Sequence, residues 1–385
     1  MRSIAQHTFG ITLIARGFAF VLLSAFAVCA AQAQGVTNDT ILIGQSAALS
    51  GPAELLGKEM KSGAEAYFKV INDAGGINGR KIKLVSLDDG YEPDRAKANT
   101  QKLINDEKVL ALFGYVGTPT SNAALPVFTE AKVPFIGAFT GAQSLREPFN
   151  RYIFNIRASY FDETERIVEN LVAQGVKNIA VCYQNDAYGK AGLAGMERAM
   201  KKRNLPIVAL ATVERNTVNV AEAVKTMAQV DATAIVMVSA YKSCAAFIRE
   251  MQKAGKFPLF WNVSFVGSKA LADELGEASR GTQISQVVPF PWSTEHRVVS
   301  EYQKVIGGEA NYSFTSLEGY IAAKVLVAGL RKAGKNLSRE SLVDALANSD
   351  VMDLGGFKVD FSPDNHNGST FVDLTIISKN KQFKR

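Results

Sequence analysis

Short apolar segments alternate with amphipathic segments along most of the chain, and this alternation is the feature that most limits the fold. The apolar segments of the first third are nearly continuous, which is typical of strands buried on both faces of a parallel sheet. The intervening segments place apolar residues at helical spacing, as Met60, Ala64 and Phe68 do on one stripe. The predicted strands are 40–43, 82–87, 109–113 and 133–139, and the predicted helices are 57–73, 93–106 and 120–131.

The same alternation resumes near residue 160 and predicts a second unit. About a dozen strands are too many for one comfortable open sheet, so we expect α/β architecture with two doubly wound lobes and parallel sheets. Three successive helices then follow, and we expect them to return and cover an earlier lobe. The later strands are predicted at 178–183, 207–213, 234–239, 259–263 and 282–288, and the later helices at 162–174, 188–203, 220–229, 244–254, 293–307, 317–333 and 338–348.

The first 33 residues have the pattern of a secretory signal peptide. Arg2 and Arg16 supply positive charge, residues 17–29 are small or apolar, and Ala31-Gln32-Ala33 is an A-x-A cleavage site. Thirteen such residues are fewer than the ~20 that a membrane span needs. We therefore expect cleavage after Ala33.

Charge and cysteine content exclude several classes of protein. Without the signal peptide the chain keeps 41 Lys and Arg against 37 Asp and Glu, a net charge of +4 with no basic block, so we expect no nucleic-acid partner. Only Cys182 and Cys244 remain, which is no disulfide framework. Two buried free thiols are slightly favoured over one bridge between them.

Ligands of open α/β sheets bind beyond the carboxyl ends of the strands, so the loops there are the candidate binding loops. The loop at 114–121 carries hydroxyl groups at the start of a predicted helix, where exposed amide groups favour an anion. The loop at 138–142 repeats this arrangement on the next strand. A carboxylate is the natural ligand for such a pair of loops, although a threonine there is about as often a plain helix N-cap.

Three segments carry a family resemblance. Starting at Ala48, Phe113 and Gln184, they read ALSGPAELLGKEMKSGAEAYFKVINDAGGINGRKI, FGYVGTPTSNAALPVFTEAKVPFIGAFTG and QNDAYGKAG. In this order, within residues 38–375, they resemble the branched-chain amino-acid-binding family of periplasmic solute receptors for ABC transporters. The Ser-Gly-Pro turn, the Gly-Gly-Ile-Asn-Gly turn and the Tyr-Gly pair are jointly a strong signal.

The resemblance implies the type I periplasmic binding protein fold, with two lobes joined by a three-crossing hinge that close on a small molecule. Lobe one would be 36–157 plus 290–360, and lobe two 158–289 plus 361–385. The implied protein is a periplasmic monomer that delivers a small carboxylate-bearing ligand to ABC transporter permease subunits.

The resemblance also assigns ligand contacts. The carboxylate-binding hydroxyl falls on Thr118, and a backbone carbonyl and second hydroxyl fall on Ala138 and Thr140. The two family tyrosines of the second lobe are Tyr188 and Tyr241. We expect Tyr91 and Tyr160 to flank the ligand as well, since a tyrosine offers an apolar face and a polar end. For each of these tyrosines, packing within the hinge is an equally good explanation.

Two positions depart from the family pattern. Leu56 stands where the family has an aromatic residue. The family's acid, which pairs with the substrate ammonium, falls near Ser264, so this chain lacks it. A buried ammonium group without a counter-charge costs several kcal/mol. We therefore keep two classes of ligand open. One is an amino acid of branched-chain or aromatic type, and the other is a related organic or aromatic acid that lacks the amine.

An enzyme is not expected, and neither is a cofactor or a metal. His296 and His366 lie in a polar region, apart from metal-ligand partners, and we expect both to be solvated. Asp88-Asp89 could act as a base, but adjacent loop carboxylates are more often caps or hinge partners. The alternatives that stay open are a ligand sensor of the same fold for a regulator and, less favoured, an exported hydrolase.

Overall fold

The computed structural model describes residues 34–385, so the predicted signal peptide at 1–33 lies outside the described residues. The strands in chain order are β1 (Thr40–Ala47), β2 (Lys81–Asp88), β3 (Ala111–Phe113), β4 (Phe135–Ile136), β5 (Ile153–Phe154), β6 (Ile179–Gln184), β7 (Ile207–Val213), β8 (Ala234–Val238), β9 (Leu259–Asn262), β10 (Gln283–Gln286), β11 (Met352–Asp353), β12 (Lys358–Val359), β13 (Asp373–Ile377) and β14 (Phe383–Lys384). The α-helices are α1 (Glu54–Asp73), α2 (Pro93–Asn105), α3 (Thr118–Glu130), α4 (Tyr160–Ala173), α5 (Ala187–Lys201), α6 (Ala221–Ala228), α7 (Tyr241–Lys253), α8 (Ser268–Leu275), α9 (Arg297–Val305), α10 (Phe314–Ala333) and α11 (Arg339–Ala347).

Two main sheets organise these elements. The first has the order β2-β1-β3-β4-β5 and is parallel throughout. The second has the order β14-β13-β10-β9-β8-β6-β7, and its strands from β10 to β7 are parallel. Strand order reverses between β1 and β3 in one sheet and between β6 and β8 in the other. Crevices for ligands form at the carboxyl ends of strands at such reversals.

The predicted α/β class with two doubly wound sheets is confirmed, but the second sheet is mixed rather than parallel. β13 pairs antiparallel with both β10 and β14. The turn between β13 and β14 is too short for the crossover that parallel pairing needs. Antiparallel strands at the edge of a parallel sheet are common in such folds.

Several element boundaries differ from the predicted ones. α3 begins at Thr118, because Pro119 fits the first turn of a helix, where its missing amide hydrogen is not needed. α7 begins at Tyr241 and α9 at Arg297. The sequence did not predict β5 or α8.

The late helix α10 packs directly on α1. Gly63 of α1 faces the backbone of Ser316, and Gly319 of α10 faces the backbone of Met60. A Cβ atom on either glycine would overlap the backbone of the other helix. This helix pair therefore ties residues near the end of the chain to the first sheet. The lobe boundaries given above stay a prediction.

His366 is buried, so the expectation that it is solvated was wrong. Its ring stacks on Phe154 with a centroid distance of 4.0 Å, and its Nδ1 lies 3.0 Å from the carbonyl oxygen of Ile153. Burial lowers the pKa of His366 to about 4. His296 is partly exposed.

Cys182 and Cys244 are both buried free thiols, as the sequence slightly favoured. Across residues 34–385, none of the helices combines the length and the apolar character that crossing a membrane requires.

Candidate functional site

Two threonine hydroxyl groups meet at the carboxyl ends of neighbouring strands in the first sheet. Thr118 follows β3 in the first turn of α3, and Thr140 follows β4. Their Oγ1 atoms are 2.7 Å apart, and the Thr140 hydroxyl also donates to the hydroxyl of Tyr160 at 3.3 Å. Both threonines are buried. Because the amide groups of a helix start favour negative charge, this pair suits a carboxylate.

Ala138 lies in the same loop as Thr140, and its carbonyl group has one hydrogen bond. The carbonyl oxygen accepts the amide hydrogen of Thr140 at 2.9 Å. A carbonyl oxygen has two lone pairs, so Ala138 keeps the capacity for a second donor.

Phe265 joins the aromatic residues of both sheets, and the sequence analysis did not identify it. Its ring centroid is 4.5 Å from that of Tyr188, 5.2 Å from Phe139 and 5.8 Å from Tyr91. Tyr160 and Tyr188 are in contact too, at 5.4 Å. The structure therefore brings three predicted tyrosines together around one phenylalanine. The sequence feature that could have identified Phe265 is its position after β9, directly beside Ser264.

The hydroxyl groups of these tyrosines differ in their partners. Tyr91 accepts a hydrogen bond from Gln184 Nε2 at 3.3 Å. Within residues 34–385, the hydroxyl groups of Tyr188 and Tyr241 have no hydrogen-bond partner. Burial raises the pKa of Tyr241 and that of Tyr160 to about 12, so both phenols are neutral donors at neutral pH.

Tyr241 stands apart from the aromatic group. It is the first residue of α7 and is buried. In the described part of the chain it makes none of the ring contacts that join Tyr91, Tyr160 and Tyr188. Its predicted role as a ligand contact therefore rests on the family resemblance alone.

Leu56, which replaces the aromatic residue of the family pattern, is buried against the loop after β9. A side chain on Gly267 would overlap Leu56 Cδ2, so the backbone of Gly267 lies directly against the side chain of Leu56. Gly267 has φ of +80°, a conformation that favours glycine. The close approach accounts for a smaller side chain at this position.

Ser264 is buried within a group of charges that the sequence analysis did not identify. Arg157 Nη2 donates to Ser264 Oγ and, at 3.1 Å, to Glu163 Oε1. Arg157 Nη1 lies 3.5 Å from Oε1 of Glu318. We call Arg157, Glu163 and Glu318 the charge cluster. Its members come from the segment after β5, from α4 and from α10, so no local sequence motif identifies them.

Asp88 and Asp89 hold the loop after β2 in shape. Asp88 Oδ1 accepts the amide hydrogens of Leu49 and Ser50 at 2.9 and 3.1 Å, and Asp89 Oδ1 accepts that of Tyr91 at 2.8 Å. Burial raises the pKa of Asp89 to about 6. Both carboxylates have structural partners, which is the capping role that the sequence favoured over a catalytic one.

Polar contacts join the loop after β2 to the loop after β7. Arg215 Nη2 donates to Glu92 Oε2 at 2.8 Å, and Asn216 Nδ2 donates to Glu92 Oε1 at 2.7 Å. Asn216 Nδ2 also donates to the carbonyl oxygen of Gly90 at 3.0 Å. We call Glu92, Arg215 and Asn216 the bridge. With Phe265, it connects the two sheets around the predicted contacts.

Comparisons with known proteins agree with this architecture. The family model described as "Periplasmic binding protein" matches residues 40–381. A Brucella abortus protein named Leu/Ile/Val-binding protein homolog 7 is 27% identical, covering 90% of this chain and 92% of that protein.

Solved structures are similar over nearly the whole length. The structure of a possible leucine/isoleucine/valine-binding protein from Rhodopirellula baltica is 35% identical with a TM-score of 0.86, covering 90% of this chain and 96% of the other. A fatty acid ABC transporter substrate-binding protein from Thermomonospora curvata has a TM-score of 0.82 at 22% identity, covering 91% of each chain, and shows the fold alone. Because the family model spans most of the sequence and the sheet order fits, the chain belongs to the periplasmic binding protein family, beside the branched-chain amino-acid-binding proteins.

Proposed function

We propose that this protein is the solute receptor of an ABC importer and binds a small carboxylate-bearing ligand between its two sheets. The observation that carries the proposal is the buried Thr118–Thr140 hydroxyl pair, 2.7 Å apart, at the carboxyl ends of β3 and β4. In this proposal the hydroxyl groups of Thr118, Thr140 and Tyr160 donate to the carboxylate of the ligand, and the Ala138 carbonyl accepts from any N–H or O–H group that the ligand carries.

The aromatic residues enclose the ligand body. Tyr91 and Tyr160 flank it, and closure brings Tyr188, Tyr241 and Ser264 over it from the second sheet. Closure is driven only by the ligand's extra affinity for the closed form. The closed form is then delivered to the permease subunits, after export by a signal peptide cleaved behind Ala33.

The ligand is an amino acid or a related organic or aromatic acid. The name of the Brucella protein supports an amino acid. Ser264, which stands near the position where the resemblance places the acid that pairs with an ammonium group, supports an acid without an amine. Binding rather than catalysis is supported by Asp88 and Asp89, whose carboxylates are engaged by the surrounding loops.

A thermal-shift screen of residues 34–385 identifies ligands first. The screen compares α-amino acids with the same acids lacking the amine, both aliphatic and aromatic. A ligand at 100 times its Kd adds ~2.7 kcal/mol to the free energy of unfolding, which raises the Tm.

The double variant Thr118→Ala with Thr140→Ala then tests the carboxylate site by calorimetric titration with the best acid of the screen. We expect at least a ~100-fold weaker Kd, because hydrogen bonds to a charged group contribute roughly 1.5–3 kcal/mol each. Thr100→Ala is the control, since Thr100 is a buried threonine that bonds to Ala96 and Tyr115 instead. Wild-type affinity in the double variant would contradict this site.

A further inference from the structure

A positively charged group contacts Ser264 together with the carboxylate of Glu163. The family resemblance places an acid near this position, but Arg157 Nη2 donates to Ser264 Oγ. The guanidinium carbon of Arg157 lies 5.0 Å from the ring centroid of Phe139 and 5.9 Å from that of Tyr160. Arg157 therefore stands between Ser264 and the Thr140–Tyr160 contact, inside the proposed site.

Glu163 is the one carboxylate that bonds to Ser264 in the described chain, and its oxygen atoms are fully occupied. Oε1 accepts from Arg157 Nη2 at 3.1 Å and from Ser264 Oγ at 3.1 Å. Oε2 accepts from the Ser264 amide at 2.8 Å and from Ser285 Oγ at 2.5 Å. A carboxylate has about four lone-pair sites, so Glu163 cannot accept an ammonium group without losing one of these donors.

Arg157 has donors in excess. Its side chain is 1% exposed, and within residues 34–385 its Nε and Nη1 atoms have no hydrogen-bond acceptor. Nη1 is at ion-pair distance from Glu318, 3.5 Å from Oε1, but without hydrogen-bond geometry. Unpaired buried donors are costly, and those of an arginine suit the oxygen atoms of a carboxylate.

Protonation of Glu318 keeps the cluster from carrying a net negative charge that would oppose an anion. Burial raises the pKa of Glu318 to about 7, and nearby Glu163 raises it further against the effect of Arg157. At neutral pH Glu318 is therefore protonated in a large fraction of molecules. In that form the cluster holds one positive and one negative charge, with the free donors on the positive side.

We propose that Arg157 is a specificity-determining residue that donates through Nε and Nη1 to the oxygen atoms of an anionic ligand, so that the protein selects carboxylic acids without an α-ammonium group over zwitterionic amino acids. This inference rests on the proposed function and names the class of ligand within it. Arg157 adds a positive charge with free donors at this position, beside the fully engaged carboxylate of Glu163.

Calorimetric titration of the wild-type protein with matched ligand pairs tests the inference. The pairs are leucine against 4-methylpentanoate and phenylalanine against 3-phenylpropanoate, which share a carboxylate and a body. We expect at least one acid to bind at least ~100-fold more tightly than its amino acid, because a buried ammonium would lack a counter-charge. Equal or tighter binding of the amino acids would overturn the inference.

Three variants and one control variant locate the effect. Arg157→Met should weaken binding of the preferred acid at least ~10-fold, and Arg157→Lys should recover part of the loss because the charge remains. Arg339→Met is the control, since Arg339 is a half-buried arginine that bonds to backbone carbonyls away from the site. Glu318→Gln removes negative charge in an isosteric way, so it should bind the acid at least as tightly as wild type. An Arg157→Met variant that folds and keeps wild-type selectivity would also overturn the inference.

If Arg157→Met fails to fold, titration of the wild-type protein with the matched ligand pairs and the Glu318→Gln variant still test the inference. Weaker binding of the acid by Glu318→Gln than by the wild-type protein would count against the inference. Its failure is distinct from that of the proposed function. Amino-acid binding that depends on Thr118 and Thr140 would overturn only the role of Arg157. Binding of neither series by folded protein would contradict both.

Discussion

Glu318 is a carboxyl group that the fold buries beside Arg157 and Glu163. Burial raises its pKa from the ordinary value of 4.5 to about 7. The folded state therefore binds more protons than the unfolded state between these two pH values, and the free energy of unfolding falls as pH rises through them. A shift of this size corresponds to roughly 3 kcal/mol.

Glu318→Gln should remove this part of the pH dependence, because glutamine does not titrate. Urea unfolding at pH 5 and pH 8 measures it: the wild-type protein should lose more stability than the variant on going to pH 8. Glu169→Gln is the control, since Glu169 is exposed and, among residues 34–385, pairs with Arg166 three residues away and with no other basic residue. Parallel loss of stability in all three proteins would contradict a buried, titrating Glu318.

Thr118 and Thr140 show what the sequence can reveal at this scale. Each follows a predicted strand, and parallel neighbouring strands end at the same edge, so their proximity follows from local patterns. Arg157, Glu163 and Glu318 are different, because their proximity depends on how α4 and α10 pack around the segment after β5. No residue type or spacing near Arg157 shows that contact.

The packing of α1 against α10 gives a prediction at the scale of an element. Gly319→Ala should lower the free energy of unfolding by about 1–3 kcal/mol, because the added methyl group overlaps the backbone of Met60 and forces the helices apart. Urea denaturation measures the change. Ser62→Ala, at an exposed position of α1, should change stability by less than about 0.5 kcal/mol. A similar small effect of both substitutions would show that the helices can separate at little cost.

Elements with a long apolar pattern were predictable, and short ones were not. β8 is buried at all five residues, and its apolar run identified it directly. β5 has two residues, too few to show any period, and β4 is equally short at the core of its longer predicted segment. The antiparallel direction of β13 was not predictable either, because a strand's own residues do not encode the direction of its partner.

At the scale of the whole molecule, the two sheets face each other through loops that follow their carboxyl ends. The bridge of Glu92, Arg215 and Asn216 lies among these loops, as does Phe265 with its contacts to Phe139 and Tyr91. The sequence indicated two sheets and a ligand site at the carboxyl ends of their strands. It did not indicate which loops of one sheet contact which loops of the other. The Glu92 carboxylate is partly exposed, so we expect its contacts to add only modestly to the free energy of the proposed closure.

Glu92→Ala should therefore weaken ligand binding by up to ~5-fold with little change in the stability of the folded protein, because it removes contacts that join the two sheets. Calorimetric titration with the acid that gives the largest thermal shift measures affinity, and small-angle X-ray scattering at a ligand concentration near the wild-type Kd measures closure. The variant should have a larger average radius of gyration there. Glu169→Ala removes an exposed pair within α4 alone and should match the wild-type protein in both measurements. Unchanged affinity and radius in Glu92→Ala would mean that the bridge forms without favouring the closed state, and would contradict this role of Glu92.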